Sequence, residues 1–174
     1  MKLYKFNWFK NCMEGLSKLK LEYKKISKAL KLDSKNVYLY YERGKVNIEL
    51  KNYLAAMEDL SKSLNGDRKS SKDSFRFQAV FLKDIASLFF NKEQDWNYIY
   101  YPERINRKIA LPTVYLKFIN AFVSALDREF ERSLSFFEDV IIQDKKVFEE
   151  NKFLINNLPL EMQLLLKIRI YWFN

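Results

Sequence analysis

The sequence predicts an all-α protein: an α-α superhelix (solenoid) of about four antiparallel helix pairs, followed by an apolar C-terminal helix. Three observations predict this fold. Gly and Pro are rare, with three of each in 174 residues, so few positions interrupt a helix. Apolar residues recur at steps of three and four, which is the period of one helix face. Short motifs also recur at a spacing of about 34 residues, as in stacked helical repeats.

The clearest copy of the repeat occupies residues 37–64. Tyr40 precedes Gly44 by four positions on a first helix, and Ala56 precedes Leu60 by four on a second. Gly44 and Ala56 are small where two antiparallel helices would cross closely, so a larger group at Gly44 is expected to cost about 1–3 kcal/mol through overpacking. The tetratricopeptide repeat signature contains the same two steps within one repeat. This stretch resembles that family.

The same spacing predicts three further copies. Leu19 lies one repeat length before Tyr53, which occupies the turn of the clearest copy. The interval from Tyr53 to Trp96 is longer, and we assign the excess to a polar insert loop at 65–73. Phe130 follows Trp96 by one further repeat length. The chain is thus predicted to be a single tetratricopeptide-like domain over residues 1–174, with approximate repeats at 3–36, 37–64, 74–111 and 112–145 and a C-terminal helix at 159–173.

Hydrophobic periodicity justifies the individual helices. The first has one apolar face, formed by Leu16, Leu19, Tyr23, Ile26 and Leu30. The polar run 33–36 then ends this pattern and offers N-cap residues for the next helix. Further helices are predicted over residues 38–50, 53–64, 75–90, 116–126 and 130–142.

Two prolines are placed at helix starts. A proline inside a helix costs about 3 kcal/mol, whereas the first turn tolerates one. Pro159 therefore begins the C-terminal helix, and Pro102 begins the second helix of the third copy. The aromatic segment 96–101 before Pro102 is expected to be extended or turned, and it either binds a partner or fills the core.

The family resemblance implies a concave groove lined by the first helix of each repeat. In the second copy the implied groove residues are Tyr38, Tyr41, Glu42, Lys45 and Glu49. The third copy supplies Phe81, Asp84, Ile85, Leu88 and Lys92, and the fourth supplies Tyr115, Phe118, Ile119, Phe122 and Leu126. Some family members bind an acidic C-terminal tail through a basic clamp, but Glu42, Phe81 and Ile85 stand where clamp residues would lie. The resemblance therefore implies an apolar or amphipathic peptide or helix as the ligand.

The last helix is apolar around most of its circumference, from Leu160 to Phe173. A solenoid normally ends in a polar cap, which this helix does not resemble. Two interpretations stay open at this point. The helix either folds back into the array and fills the groove, or it forms a homodimer or contacts another protein.

Composition argues against catalysis. The chain has no His, the commonest general base and metal ligand. Cys12 is the only cysteine, which excludes an intramolecular disulfide and a cysteine-rich zinc site. No cofactor or metal is expected. The predicted function is a non-enzymatic protein–protein interaction module, an adaptor or chaperone-like protein whose partner is another protein.

The N-terminal part of the chain is strongly basic. Residues 1–36 hold ten Lys against three acidic residues, a net charge of +7 out of +9 for the whole chain. Lys18, Lys24, Lys25 and Lys28 lie away from the apolar face and form a predicted basic patch. The alternative function is therefore a nucleic-acid-associated accessory protein. The absence of Arg before Arg43 weakens this alternative, because Arg is the residue that most often hydrogen-bonds guanine in specific DNA complexes. A solvated lysine face is the simpler interpretation of the basic patch.

Localisation is predicted from what the sequence lacks. Lys2, Lys5 and Lys10 interrupt the N-terminus before a secretory leader could form. No run of about 18 apolar residues is present to span a bilayer. A cytoplasmic protein without a membrane span is expected.

Overall fold

The structure, a computed structural model, describes the backbone of residues 2–65, 73–93 and 111–172 and the side chains of 13–65, 76–92 and 111–169. These residues form helices joined by short turns, without a strand. The α-helices are α1 Lys2–Leu32, α2 Val37–Glu49, α3 Tyr53–Leu64, α4 Asp73–Glu93, α5 Thr113–Leu126, α6 Phe130–Gln143, α7 Lys145–Asn151 and α8 Leu160–Trp172, with a 3-10 helix at Lys152–Asn157. Residues 66–72 of the insert predicted at 65–73, the aromatic segment 96–101 and the predicted helix start at Pro102 lie outside the described residues.

Helices adjacent in sequence pack against each other, which confirms the all-α class and the pairing of neighbouring helices. The closest pairs are α2 with α3 and α5 with α6. Each is an antiparallel hairpin with a three-residue turn, Leu50–Asn52 in the first and Asp127–Glu129 in the second. One buried apolar cluster runs through α2 to α8. Helix α1 packs on the outer side of α2.

Both hairpin turns have the same backbone geometry. Lys51 and Arg128 adopt the left-handed conformation, with φ of 61° and 63°. In the first turn the Asn52 N–H donates to the Asn47 carbonyl at 2.8 Å and the Lys51 N–H donates to the Ile48 carbonyl at 2.9 Å. The second turn repeats both bonds at the equivalent positions. This is the Schellman arrangement, which satisfies the last carbonyls of a helix while reversing the chain.

The interiors of the two hairpins also correspond. The six residues compared next, three from each hairpin, are all buried. The equivalent positions are Gly44, Ala56 and Leu60 in the first hairpin and Ala121, Ser133 and Phe137 in the second. The separation in sequence is the same for each of the three pairs. A Cβ added to Gly44 would lie 2.8 Å from Cγ of Leu60. The close helix crossing predicted from the small residues is therefore confirmed for α2 and α3.

The helix pair predicted for residues 3–36 is not present. Helix α1 continues without a turn from Lys2 to Leu32, so Leu19 does not occupy a position equivalent to Tyr53. The physical reason lies in the residues around Leu19, because Lys, Leu and Glu are strong helix formers and no Gly or Pro interrupts residues 16–32. The predicted cap after this helix is present: Oδ1 of Asn36 accepts the Leu39 N–H at 3.2 Å.

A buried ion pair joins the first three helices. Arg43 on α2 binds Asp59 on α3 with two hydrogen bonds of 2.7 and 2.8 Å. Asn47 donates a third bond to the same carboxylate at 3.0 Å. The guanidinium also lies 5.9 Å from the centre of the Tyr23 ring on α1. Because Asp59 is almost fully buried, it requires these donors to compensate for lost hydration.

The C-terminal region contains two elements that were not predicted. Helix α7 and the following 3-10 helix occupy residues 145–157, between the fourth predicted repeat and the last helix. Helix α8 matches the predicted 159–173 to within one residue at each end. It buries Met162 and Leu166 and leaves Leu164 half exposed.

We expect Gly44→Ala to lower the free energy of unfolding even though Ala is the better helix former. The gain in helix propensity, about 1 kcal/mol, is offset by overpacking against Leu60, about 1–3 kcal/mol. Chemical denaturation should show the loss, and Gly15→Ala is the matched control because no atom lies within 4 Å of its added Cβ. In a Leu60→Ala background, Gly44→Ala should instead stabilise. A gain in the wild-type background would contradict the close crossing.

We expect Lys51→Gly to stabilise the protein by up to about 1 kcal/mol, because a residue with a side chain is disfavoured in the left-handed conformation. Arg128→Gly should behave in the same way. Thermal melting of Lys51→Ala provides the control, since Ala keeps the strain and should change little. Equal effects of Gly and Ala at position 51 would show that the turn geometry is different.

Candidate functional site

Most of the predicted groove residues are core residues. Phe81, Ile85, Phe118 and Phe122 have exposed fractions of 0%. Leu88, Ile119 and Asp84 are also buried. The prediction that these side chains line an open groove is therefore wrong for this structure, and no partner can reach them without displacing part of the chain.

The C-terminal region covers these aromatic residues. The Phe148 ring of α7 stacks on Phe118 at a centroid distance of 5.9 Å and meets Phe137 edge-on at 6.4 Å. Further along, the Tyr53 hydroxyl donates to Oδ1 of Asn157 at 2.9 Å. Of the two interpretations of the C-terminal region, this geometry agrees with folding back into the array, and α7 and the 3-10 helix contribute to it besides α8.

An open cleft of about 640 Å³ remains between α2, α4, α5 and α7. It holds five of the predicted groove residues: Tyr38, Tyr41, Glu42, Lys45 and Tyr115. The other lining residues are Phe77, Gln78, Pro112, Val114, Asp144, Lys146, Val147 and Glu150. Polar and apolar groups alternate on its walls, so the cleft is less apolar than the sequence predicts.

A chain of hydrogen bonds crosses the cleft. The Tyr41 hydroxyl donates to Oε1 of Gln78 at 2.6 Å. Gln78 in turn donates through Nε2 to Oε2 of Glu150 at 2.6 Å. The network links α2, α4 and α7, and it holds the Glu150 carboxylate at the cleft wall. Ordered polar groups of this kind can orient a ligand with little further cost in entropy.

Burial and nearby carboxylates act on the two buried tyrosines of the cleft. Burial raises the pKa of Tyr115, and the charges of Glu150 and Asp144 raise it further. The pKa of Tyr41 is raised mainly by burial and then by the charge of Glu42. Burial disfavours any charge on these phenols, whereas the carboxylate charges disfavour a phenolate and attract a cation to the cleft.

Lys45 is a cation that already lies against Tyr41 and Glu42 in the cleft. Its ammonium group lies 5.4 Å from the centre of the Tyr41 ring and 3.4 Å from Oε2 of Glu42. The aromatic face and the carboxylate therefore act on one cation together. Tyr38, which is 58% exposed, lies beside Tyr41 at a centroid distance of 6.1 Å and presents a second ring to solvent.

The remaining predicted site residues lie elsewhere. Glu49 is half buried, and the charge of Glu22 on α1 acts on it, so it faces α1 and not the cleft. Lys92 and Leu126 line a different surface depression, near the α5–α6 turn. The basic patch of Lys18, Lys24, Lys25 and Lys28 is exposed on α1, and none of these lysines lines the cleft.

Sequence reasoning missed four polar residues of the cleft: Gln78, Asp144, Lys146 and Glu150. One local signal was available. Oδ1 of Asp144 accepts the Val147 N–H at 3.1 Å, and an Asp three positions before an apolar residue is a typical N-cap pattern. It marks the start of α7, the helix that carries Glu150. For Gln78 no comparable signal exists, because its role depends on the distant α7.

Comparison with known proteins gives no relative: no protein-family model, curated protein or solved structure matches this chain. Within the described part of the chain, no cluster of three or more His, Cys, Asp or Glu could hold a metal ion. No helix in that part has both the length and the hydrophobicity needed to cross a bilayer.

We expect Glu49→Gln to stabilise the protein at neutral pH and to have a smaller effect in mild acid. Burial and the Glu22 charge raise the pKa of Glu49, so the folded state binds this proton more tightly than the unfolded state. The stability of the wild type therefore falls as pH rises from about 4.3, the usual pKa of Glu, through the raised pKa. Melting temperatures of both proteins across this range measure the difference.

The exposed Glu58 on α3 provides the control for this experiment. Glu58→Gln removes one negative charge from an exposed position, so the change in melting temperature that it causes should depend little on pH. If the two variants show the same pH dependence, the assigned environment of Glu49 is wrong.

Proposed function

We propose that this protein is a non-enzymatic interaction module, a tetratricopeptide-like helical repeat array that binds a segment of a partner protein. The support for an array is the pair of corresponding hairpins, α2–α3 and α5–α6, with the same turn and with small, buried residues at corresponding positions of the crossing. The binding site in this proposal is the cleft between α2 and α7. A superhelical arrangement and an adaptor or chaperone-like role belong to the same proposal.

The observation that carries the proposal is the combination of exposed aromatic surface and ordered polar groups in one open cleft. Tyr38 offers an exposed ring, while Tyr41, Gln78 and Glu150 form a connected hydrogen-bond network beside it. Aromatic side chains supply much of the binding energy at protein interfaces. Fixed polar groups supply orientation and specificity.

The chemistry of the cleft favours an amphipathic partner segment that carries a Lys or Arg. Three carboxylates, those of Glu42, Asp144 and Glu150, line the cleft with only two ammonium groups, those of Lys45 and Lys146. The Lys146 side chain is 84% exposed and lies 3.8 Å from Glu150, so water screens this pair strongly. A partner cation could displace Lys146 and contact Glu150 and the Tyr38 ring, and its apolar neighbours would pack on the aliphatic and aromatic groups of the cleft walls.

The function is tested by selecting from a random peptide library displayed on phage. Peptides that bind the full chain should be enriched in Lys or Arg beside aromatic or aliphatic residues. We expect Tyr38→Ala to raise the Kd of a selected peptide about tenfold, since losing one interfacial aromatic contact commonly costs more than about 1 kcal/mol. Glu150→Gln should weaken cationic peptides more than peptides in which the cation is replaced by norleucine.

The control variant is Ile142→Ala. Ile142 is 77% exposed and does not line the cleft, so the Kd of the selected peptide should change less than twofold. The proposal fails if the selected peptides bind Tyr38→Ala as tightly as the wild type. It also fails if selection enriches no basic residue.

A further inference from the structure

The outward face of α1 combines exposed lysines with exposed leucines. Leu21, Lys25, Lys28 and Leu32 follow each other at steps of four, three and four positions, which places them on one face of the helix. Leu21 is 54% exposed and Leu32 is 87% exposed. Lys24 is also exposed, beside this row. We call Leu21, Lys24, Lys25, Lys28 and Leu32 the outer α1 face.

This face points away from the rest of the protein. The opposite side of α1 carries Leu30, which is buried at 6% exposure, and Tyr23, whose ring contacts Arg43 of α2. Because those residues hold α1 against α2, the outer α1 face is presented to solvent. It lies outside the cleft of the proposed function, so both surfaces can be occupied at once.

The charge of this face is not neutralised internally. Among the described residues, no carboxylate forms a salt bridge with Lys24, Lys25 or Lys28. Seven of the nine net positive charges of the chain belong to residues 1–36. An anionic surface would complement this charge.

The leucines discriminate between anionic partners. Phosphates of a nucleic acid would be met by lysines alone, and bases are contacted by donor and acceptor groups or by aromatic rings. Two aliphatic side chains among three lysines fit instead the boundary between headgroups and acyl chains of a bilayer. There, aliphatic side chains enter the apolar layer while lysines extend to the anionic headgroups.

We propose that the outer α1 face binds the surface of an anionic lipid bilayer, with the helix lying in the plane of the membrane. Leu21 and Leu32 enter the upper acyl region, and Lys24, Lys25 and Lys28 contact the lipid phosphates and carboxylates. Binding is peripheral and reversible. It orients the protein so that the cleft between α2 and α7 remains open to solution.

Co-sedimentation of the full chain with vesicles tests this proposal. The protein should bind vesicles of phosphatidylcholine with phosphatidylserine and not vesicles of phosphatidylcholine alone, and added salt should weaken binding. The combined variant with Lys24→Gln, Lys25→Gln and Lys28→Gln should bind about a hundredfold more weakly, at about fivefold per lysine. The matched control with Lys51→Gln, Lys152→Gln and Lys167→Gln removes the same charge from exposed positions outside both α1 and the cleft and should bind nearly as well as the wild type.

The leucines are tested separately. Leu21→Ser with Leu32→Ser should lower binding to the anionic vesicles at least tenfold, while Leu160→Ser with Leu164→Ser on α8 should have little effect. Circular dichroism of each variant verifies that the helices persist. Equal binding by the α1 lysine variant and its control would overturn the proposal. It would also be overturned in favour of nucleic acid if double-stranded DNA or RNA bound more tightly than the vesicles, with the same lysine dependence and no dependence on the leucines.

Discussion

The ring of Phe118 lies where four helices meet, and the arrangement of the C-terminal half depends on how it is packed. It stacks on Phe81 of α4 at 5.4 Å and on Phe148 of α7 at 5.9 Å, and it meets Phe137 of α6 edge-on at 5.6 Å. Each of these four rings is almost fully buried. Removing such a ring typically costs about 3–5 kcal/mol, so this cluster holds α4 to α7 in one core.

The same cluster explains where a partner can bind. Because the Phe148 ring stacks on Phe118, and Phe81 and Phe122 are buried beside Phe118, the aromatic positions that the family resemblance assigns to a groove become interior. The cleft that remains is bounded by α7 itself, which supplies Lys146 and Glu150 to its polar lining. Helix α7 therefore contributes residues to the candidate site and also covers the aromatic side chains of α5.

Sequence periodicity predicts the helices well because each helix shows its apolar face locally. The limits of α3 match the predicted 53–64, and Asn36 caps α2 as the polar run 33–36 suggests. The position of Gly44 at a close helix crossing is also predictable, since only its small size fits that spacing. Two errors are local, because α1 continues where a turn was predicted and the short helices at 145–157 were missed. The error about the groove instead concerns contacts between residues distant in sequence. Nothing near Phe118 shows that Phe148 will cover it, so periodicity alone cannot distinguish a groove residue from a core residue.

The two Schellman turns also have a consequence for the order in which the chain folds. Each hairpin joins helices through a very short turn, so its contacts form after closing a small loop, which is entropically inexpensive. The bond between Tyr53 and Asn157 instead spans 104 residues. We therefore expect α2–α3 and α5–α6 to form early and independently, and the C-terminal segment to dock last, since folding slows as contacts become more distant in sequence. An intermediate with both hairpins formed would expose the aromatic surface that the native protein keeps covered.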